Sequence, residues 1–264
     1  MSTKLNLTNV EKVFRTKTGD VKALSNIFLT IDPGQFLAVV GPSGCGKSTI
    51  MRIIAGLDKP STGVVEINDE PLKRIADGAA VVFQKDVLLA WRTVIDNVLF
   101  PLELKGITWL DRKNKQTNRS KALELLESVG LKGFEDKYPH ELSGGMRQRV
   151  SICRALIQDP KLLLMDEPFG ALDALTREQM MYDLLKLSDK YGFTTVFITH
   201  SIEEAVFLSD KVIVMSERPG TILKEIPISL QRPRHSATRE EPEFNKQVQN
   251  IRSIFKSQGI LAEI

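Results

Sequence analysis

A glycine-rich stretch of the sequence has the residue types and spacing that bind the phosphates of a nucleotide. Residues 41–49 read Gly-Pro-Ser-Gly-Cys-Gly-Lys-Ser-Thr, and glycines at this spacing let backbone amides approach phosphate oxygens closely. The lysine adds a positive charge beside the β- and γ-phosphates, and the serine that follows it suits Mg²⁺. We therefore predict a P-loop with nucleotide contacts along the whole stretch: Gly41, Pro42, Ser43, Gly44, Cys45, Gly46, Lys47, Ser48 and Thr49. A glycine-rich turn without a ligand is the alternative interpretation.

A second stretch, at residues 142–148, suits a phosphate in a different way. It reads Leu-Ser-Gly-Gly-Met-Arg-Gln. A serine and two glycines at the start of a predicted helix offer a hydroxyl and free amides to an anion. A P-loop alone marks a nucleotide pocket, whereas the two stretches together suggest a pocket that two copies of the chain share.

Two adjacent carboxylates follow an apolar run at residues 162–165. Ligands of open α/β sheets collect at the carboxyl ends of the strands. We predict that Asp166 holds Mg²⁺ through its water shell. Glu167, facing away from it, is predicted to polarise the attacking water as a general base. Both carboxylates could instead be turn residues before Pro168, but the P-loop favours the catalytic interpretation.

A histidine follows another β-branched run, at residues 195–199. His200 should therefore also stand at the carboxyl end of a sheet strand, where it could reach the γ-phosphate or hold the water and Glu167 in register. His140 and His235 have no such placement and are predicted to be ordinary surface or core residues. Cys45 is predicted to fill space in the loop, since the sequence fixes no base beside it.

The order of predicted elements supports the P-loop interpretation. The apolar run at 36–40 has strand length and leads into the loop, and residues 50–55 follow with a helical pattern. Antiparallel strands are predicted at 4–14 and 21–31, joined by a turn at Thr18-Gly19-Asp20, and at 63–67. Buried parallel strands are predicted at 79–83, 162–165, 195–199 and 212–215, with helices at 173–190 and 201–208. The sequence thus predicts an α/β fold: a RecA-like P-loop NTPase core with an antiparallel β subdomain and an inserted helical subdomain.

The remaining segments define the predicted domain limits. Helical patterns at 119–129 and 145–157 predict a helical subdomain at about 88–158, inserted in a main domain of residues 1–230. A strand-like piece is predicted at 222–228. Residues 231–264 are predicted to form a tail that contains a Pro- and Arg-rich link and a helix from Pro242 to Lys256.

Composition limits the partners that the sequence suggests. Lys and Arg outnumber Asp and Glu by 36 to 33, and a net charge of +3 is too small to favour nucleic acid as the main partner. The basic runs at 105–121 and 232–239 are interpreted as solvated faces or loops. Two cysteines without metal-ligand spacing fit a reducing cytoplasm. The sequence has no apolar run long enough to span a bilayer and no predicted secretory signal.

These motifs together resemble the nucleotide-binding subunits of ABC transporters over roughly residues 4–230. The resemblance rests on the P-loop, Gln84 after a strand, the 142–148 stretch, Asp166-Glu167, Ala171-Leu172-Asp173 and His200. It implies ATP and Mg²⁺ as cofactors and a head-to-tail dimer. In such a dimer Ser143, Gly144 and Gly145 grip the γ-phosphate held by the other copy's P-loop.

The resemblance also implies roles for three residues outside the two phosphate motifs. Gln84 would touch Mg²⁺ or the attacking water and sense the permease, and Asp173 would bridge the two subunits. Phe14 would stack on adenine, where the family often has a tyrosine, and a flat ring remains. Met146 stands where the family often has glutamine, which removes one polar contact near the 142–148 stretch.

Within the family, three stretches resemble the nitrate/sulfonate/taurine importer group: 83–92, 166–173 and 216–220. The resemblance implies an ATPase that powers uptake of a small solute. Its partners would be membrane permease subunits and a solute-binding protein, with no nucleic acid, at the cytoplasmic face of the inner cell membrane. The sequence leaves the solute open, because specificity resides in subunits other than this one.

Two alternatives remain at this stage. Leu88, Leu89 and Trp91 either line a groove for a permease coupling helix or pack the helical subdomain, and both can hold. The rival function is a soluble ABC-type ATPase that acts on nucleic acid or ribosomes. Such proteins carry a long coiled-coil insertion or a second ATPase domain, whereas 58 residues lie between Gln84 and Ser143 and the chain has one P-loop.

Overall fold

The computed structural model describes residues 2–17, 19–105 and 112–260. Thr18 of the predicted turn, residues 106–111 of the predicted helical subdomain and its basic run, and residues 261–264 of the predicted tail lie outside the described residues. The described strands are β1 (Leu5–Thr16), β2 (Gly19–Ile31), β3 (Phe36–Val40), β4 (Thr62–Ile67), β5 (Glu70–Pro71), β6 (Ala79–Val82), β7 (Leu162–Asp166), β8 (Thr194–Ile198), β9 (Lys211–Met215) and β10 (Ile222–Pro227). The helices are α1 (Lys47–Ile54), α2 (Val94–Leu104), α3 (Arg112–Ser128), α4 (Gly144–Leu156), α5 (Ala174–Tyr191), α6 (Ile202–Leu208) and α7 (Pro242–Ser257).

A six-stranded sheet forms the centre of the fold. Its strand order is β10-β9-β3-β8-β7-β6, and its strands run parallel except β10, which is antiparallel to β9. Every residue of β3 and β8 is buried, because helices and the second sheet cover both faces. Successive side chains of a strand point to opposite faces, so Phe36 and Ala38 join one apolar cluster while Leu37 and Val39 join the other. The predicted α/β fold is confirmed.

The predicted antiparallel β subdomain is a separate four-stranded sheet in the order β2-β1-β4-β5. Its inner face packs against α1 and the central sheet, with Leu5, Leu24 and Ile50 in one buried cluster. Phe14 pairs with Val21 near the turn of the β1–β2 hairpin. This sheet therefore brings an aromatic ring close to the start of α1.

Helices α2, α3 and α4 are inserted between β6 and β7, which are adjacent strands in the central sheet. The insertion shares an apolar cluster with one face of that sheet. Buried Asn97 holds its entry loop by donating to the carbonyls of Leu89, Arg92 and Thr93. No helix among the described residues is long and apolar enough to cross a membrane.

The carboxyl ends of four neighbouring strands meet at one edge of the central sheet. In sheet order, β3 leads into the P-loop, β8 leads to His200, β7 ends at Asp166, and β6 is followed two residues later by Gln84. The last described helix, α7, lies at the position of the helix predicted from Pro242 to Lys256 and packs against α6. The topology alone thus gathers the predicted catalytic residues at one edge.

Candidate functional site

The backbone of the P-loop favours glycine at position 46. Gly46 has φ 106° and precedes the first residue of α1. A Cβ there would lie 2.6 Å from Cδ2 of Leu24 and 3.0 Å from the carbonyl oxygen of Ala23. Both the positive φ and the close approach of β2 disfavour a side chain at this position. The free amides at the start of α1 therefore face the cleft beside this loop.

The ammonium group of Lys47 lies within the curve of the P-loop and contacts its backbone. Its Nζ donates to the carbonyl oxygens of Gly41 and Pro42, both at 2.9 Å, and the residue is buried. Cys45 is also buried, and desolvation raises the pKa of its thiol. Its thiol is therefore protonated at neutral pH and fills space, as predicted. Gly41, Pro42 and Cys45 do not belong to the described cleft lining.

A cleft of about 630 Å³ lies in front of the P-loop. Phe14, with 39% of its surface exposed, stands on its β1 wall, and Lys12 Nζ lies 5.0 Å from the centre of that ring. The lining residues come from the β1–β2 hairpin, the P-loop, the carboxyl ends of the sheet strands and the β9–β10 turn: Phe14, Thr16, Val21, Ala23, Ser43, Gly44, Gly46, Lys47, Ser48, Thr49, Gln84, Asp166, Glu167 and Arg218. The cleft thus has an aromatic side and a charged side.

Asp166 and Ser48 form one oxygen cluster within the cleft. The Ser48 hydroxyl donates to Asp166 Oδ1 at 3.1 Å. Burial raises the pKa of the Asp166 carboxyl, the Ser48 hydrogen bond lowers it, and the charge of Glu167 raises it further. Hydroxyl and carboxylate oxygens are ligands that Mg²⁺ prefers. Among the described residues no group of three or more His, Cys, Asp or Glu side chains could hold a metal.

The prediction that Glu167 faces away from Asp166 is wrong, because both side chains line the cleft. Glu167 has φ 45°, in the left-handed region, and this conformation ends the alternation of β7. A non-glycine residue in that region costs of order 1–3 kcal/mol and persists where its surroundings hold it. Here the Glu167 amide donates to the carbonyl of Ile198 at 2.9 Å, which anchors the turn to β8.

Two side chains converge on the Glu167 carboxylate from different strands. Gln84 Nε2 donates to Oε2 of Glu167 at 3.3 Å, and His200 Nδ1 lies 3.5 Å from the same oxygen. The Glu167 side chain is 24% exposed and that of His200 is 61% exposed. A carboxylate oriented by an amide and an imidazole, beside a phosphate-binding loop, is equipped to accept a proton from water.

The second phosphate motif lies outside this cleft. Ser143 caps α4, its Oγ accepting from the Met146 amide at 3.2 Å, and none of residues 143–145 is among the described lining residues. A Cβ on Gly145 would lie 2.4 Å from Cγ2 of Thr176 in α5, so the two helix starts touch. Met146 packs against the apolar core. Within one chain, the motif is therefore an open helix N-terminus.

Asp173 caps α5, the helix whose start touches that of α4. Its Oδ1 accepts from the Thr176 amide at 3.0 Å. Hydrogen bonds from Thr176 hold the pKa of the Asp173 carboxyl below its usual range. Asp173 also lies outside the described cleft lining. Its geometry in one chain is that of a helix cap at the molecular surface.

The apolar residues of the loop after Gln84 differ in burial. Leu88 packs against the core, whereas Trp91 is 75% exposed. The loop is tied to α4: Arg147 Nε donates to Asp86 Oδ2 at 2.8 Å, and Arg154 donates to the carbonyls of Asp86 and Val87, each at 2.9 Å. The helix that starts with the second phosphate motif therefore holds the loop that follows Gln84.

Sequence reasoning assigned no role to two groups near the site. Arg218 lines the cleft from the β9–β10 turn. The sequence signal that could have identified this residue is its position after β9, the strand next to β3, and two residues before a glycine. Buried Glu204 accepts a hydrogen bond from the Thr199 hydroxyl, and Arg177 Nε lies 3.6 Å from its carboxylate. Burial raises the pKa of Glu204.

The comparison with known proteins agrees with this geometry. Residues 24–170, more than half of the chain, match the family model described as ABC transporter. The chain belongs to the ABC transporter family. A relative from Methanocaldococcus jannaschii, described as an uncharacterized ABC transporter ATP-binding protein, is 48% identical over 95% of this chain and 92% of its own.

Further relatives in this family have names that state a transport role. An aliphatic sulfonates import ATP-binding protein of Bacillus cereus is 42% identical, over 92% of this chain and 94% of its own. A nitrate import ATP-binding protein of Synechocystis is 42% identical, over 96% and 95%. Neither is named as a nucleic-acid or ribosome factor. The predicted resemblance to the nitrate/sulfonate/taurine group is confirmed.

A solved structure supports the ATPase fold. It is a dimeric ATP-binding cassette in a post-hydrolysis state bound to ADP and phosphate, and it matches with a TM-score of 0.74 and 35% identity. The match covers 85% of this chain and 98% of that chain. The chain is therefore an ABC-type ATPase domain.

Proposed function

We propose that this ABC ATPase powers the import of a small solute through a separate membrane permease. The observation that carries the proposal is the convergence of Gln84 and His200 on Glu167, in the same cleft as the P-loop. An NTPase needs a phosphate cradle and a base for water, and the P-loop and Glu167 would supply them.

Nucleotide binding is assigned to the P-loop and the β1 wall. We expect the Lys47 ammonium to exchange the carbonyls of Gly41 and Pro42 for the β- and γ-phosphates. Residues 43–49 would contribute backbone amides and hydroxyls. The partly exposed ring of Phe14 suits stacking on adenine.

Ser48 and Asp166 are the residues that we assign to Mg²⁺, with Gln84 at the edge of the same cluster. The oxygens of Ser48 and Asp166 lie 3.1 Å apart, and both are hard ligands. Bound there with the substrate, the ion would neutralise charge on the β- and γ-phosphates. The raised pKa of Asp166, which arises mainly from burial, fits a carboxylate whose charge needs a cation.

Hydrolysis is assigned to Glu167 as general base. Its carboxylate would accept the proton of the attacking water while Gln84 and His200 hold it in one orientation. The left-handed backbone at Glu167 supports this role, since it turns the carboxylate into the cleft at a conformational cost. His200, more exposed than Glu167, would hold Glu167 and the attacking water in register.

We propose a head-to-tail dimer in which each P-loop faces Ser143, Gly144 and Gly145 of the partner. The supporting observations are that these residues lie outside their own cleft and that they begin a helix. A helix N-terminus attracts the negative γ-phosphate. Asp173, on the adjacent helix start, would bridge the subunits.

The permease is assigned to the loop after Gln84. Trp91 presents an exposed aromatic surface there, and large exposed apolar side chains favour protein contacts. Because Arg147 binds Asp86, a displacement of this loop would move α4 and its phosphate motif. Gln84, at the root of the same loop, would carry that displacement to Glu167.

The solute and location follow from the named relatives as proposals. We propose a nitrate-, sulfonate- or taurine-like small solute. The chain would act as a peripheral subunit on the cytoplasmic face of the cell membrane, with a solute-binding protein on the other side.

The deciding experiment is reconstitution of this chain with its permease in vesicles. Solute and binding protein together should stimulate ATP hydrolysis, and a Trp91→Ala variant should lose the stimulation while keeping its basal ATPase rate. Arg74→Ala, at an exposed ion pair on another surface, is the control. ATPase activity that follows DNA or ribosomes instead of solute would contradict the proposal.

A further inference from the structure

Arg218 places a positive charge in the nucleotide cleft that no role above uses. Its Nε and Nη2 donate to the carbonyl oxygen of Gly44 at 3.2 and 3.0 Å. Nη1 makes no hydrogen bond, and the guanidinium makes no ion pair, with any residue that the structure describes. An arginine that lines a cleft without a carboxylate partner is available to an anionic ligand.

The turn that carries Arg218 is fixed by backbone contacts. The Gly220 amide donates to the Ala23 carbonyl at 2.9 Å, and the Ser25 amide donates to the Gly220 carbonyl at 3.0 Å. A Cβ on Gly220 would lie 2.0 Å from the Cys45 carbonyl oxygen, so the turn rests directly on the P-loop. The position of Arg218 therefore does not depend on its own side chain.

The charges around the cleft divide it into two sides. Asp166 and Glu167 stand on the strand edge, and Lys47 lies within the loop. Arg218 adds a cation on the side of β2, where Ala23 and Val21 line the cleft. A polyphosphate on the P-loop would thus have cations on two sides.

We propose that Arg218 is a further nucleotide-binding residue, which contacts the polyphosphate and holds Gly44 of the P-loop in place. This inference rests on the proposed nucleotide site. A guanidinium presents several donors in one plane and pairs with phosphate through more than one hydrogen bond. Two of its donors grip Gly44, and Nη1 is left for the ligand.

The test measures binding of ATP and of inorganic tripolyphosphate to the isolated chain by calorimetry. Arg218→Ala should weaken both ligands about tenfold, the effect expected for one charge-assisted contact. Arg218→Gln, which keeps a donor for Gly44 but no charge, should weaken them similarly, and Arg218→Lys, which keeps the charge but not the planar set of donors, should retain part of the affinity. KM for ATP should rise while kcat at saturating ATP stays within about twofold. Arg74→Ala is the matched control at an exposed arginine.

Three outcomes would overturn the inference. They are unchanged affinity in Arg218→Ala, wild-type affinity in Arg218→Gln, and weaker ATP binding with unchanged tripolyphosphate binding. Weaker binding of ATP alone would assign the Arg218 contact to the base or ribose and not to the phosphates. Lys47→Ala separates this inference from the proposed function: if that variant still binds ATP normally, the nucleotide site itself is wrongly assigned.

Discussion

The side-chain amide of Gln84 donates to Oε2 of Glu167 at 3.3 Å, across 83 positions of sequence. Gln84 begins the loop that Arg147 and Arg154 tie to α4, and Glu167 directly follows β7. One hydrogen bond therefore joins the proposed base to the loop that carries exposed Trp91. Movement of that loop would reorient the carboxylate without any change in the phosphate cradle.

Replacing Glu167 by Gln tests the base directly. The amide keeps the shape of the side chain but cannot accept the proton, so kcat should fall by about 100- to 10,000-fold. ATP affinity should remain near that of the wild type, and ATP should trap a dimer visible by size-exclusion chromatography. Glu203→Gln, an exposed residue of α6 paired with Arg252, is the control. Hydrolysis at the normal rate in Glu167→Gln would remove Glu167 as the base.

His200 is expected to act on the rate and not on the affinity. It contacts the Glu167 carboxylate but is absent from the described lining of the cleft. His200→Ala should therefore lower kcat by about 10- to 100-fold, the part of a general-base effect that depends on orientation, and leave KM nearly unchanged. His235→Ala, at an exposed residue outside the site, should match the wild type in both constants. A rise in KM without loss of kcat would instead assign His200 to ground-state binding.

Complementation between two inactive variants tests the shared site. Lys47→Ala should abolish nucleotide binding, and Ser143→Arg should abolish hydrolysis while the isolated chain still binds ATP. In a mixture, half of the dimers combine the two chains and contain one intact site, so activity should return to at most about a quarter of wild type. Activity no higher than the sum of the two separate variants would contradict a site built from two copies.

The strands of the central sheet were predictable from the sequence, because burial on both faces leaves an uninterrupted run of apolar residues. The run at 36–40 was predicted with the bounds that β3 has, since uninterrupted apolar residues suit a covered parallel strand. Helix α2 was not predicted, because Pro101 inside it breaks the usual helical signal. The start of α3 at Arg112 was also missed, because its charged first turns lack an apolar stripe.

The sequence predicts which residues meet at the candidate site but not how the backbone orients them. Strand ends bring Gln84, Asp166 and His200 to one edge, and this follows from topology. The left-handed backbone of Glu167 has no local signal, because a glutamate carries no preference for that conformation. Arg218 reaches the cleft only because Gly220 rests on Cys45, a contact between segments far apart in sequence.

Asp173 should give the α5 cap a pH-dependent stability. Its pKa is lowered by hydrogen bonds from Thr176, so this stabilisation is present above the ordinary aspartate pKa of about 3.9 and disappears as pH falls through the lower folded pKa. Asn also caps helices but does not titrate in this range. The difference in thermal midpoint between wild type and Asp173→Asn should therefore shrink below about pH 4 in differential scanning fluorimetry.

A second variant at this position separates the cap from the charge. Asp173→Ala should melt about 2–4 °C below Asp173→Asn at pH 7, because it leaves the Thr176 amide without its acceptor. Equal midpoints for the two variants would show that the cap contributes nothing to stability.

Gly46 should be the least replaceable glycine of the P-loop in terms of stability. Alanine there must adopt φ 106° and place a methyl group 2.6 Å from Leu24 Cδ2. Gly133 offers the matched comparison, since its φ is 87° and nothing lies within 4 Å of a Cβ built on it. Gly133→Ala pays only the cost of the left-handed backbone, about 1 kcal/mol, whereas Gly46→Ala adds overpacking against β2 and should lose about 3 kcal/mol. Urea unfolding of the nucleotide-free protein measures both. If the two variants unfold at the same urea concentration, the backbone conformation alone selects glycine at position 46 and the contact with Leu24 relaxes freely.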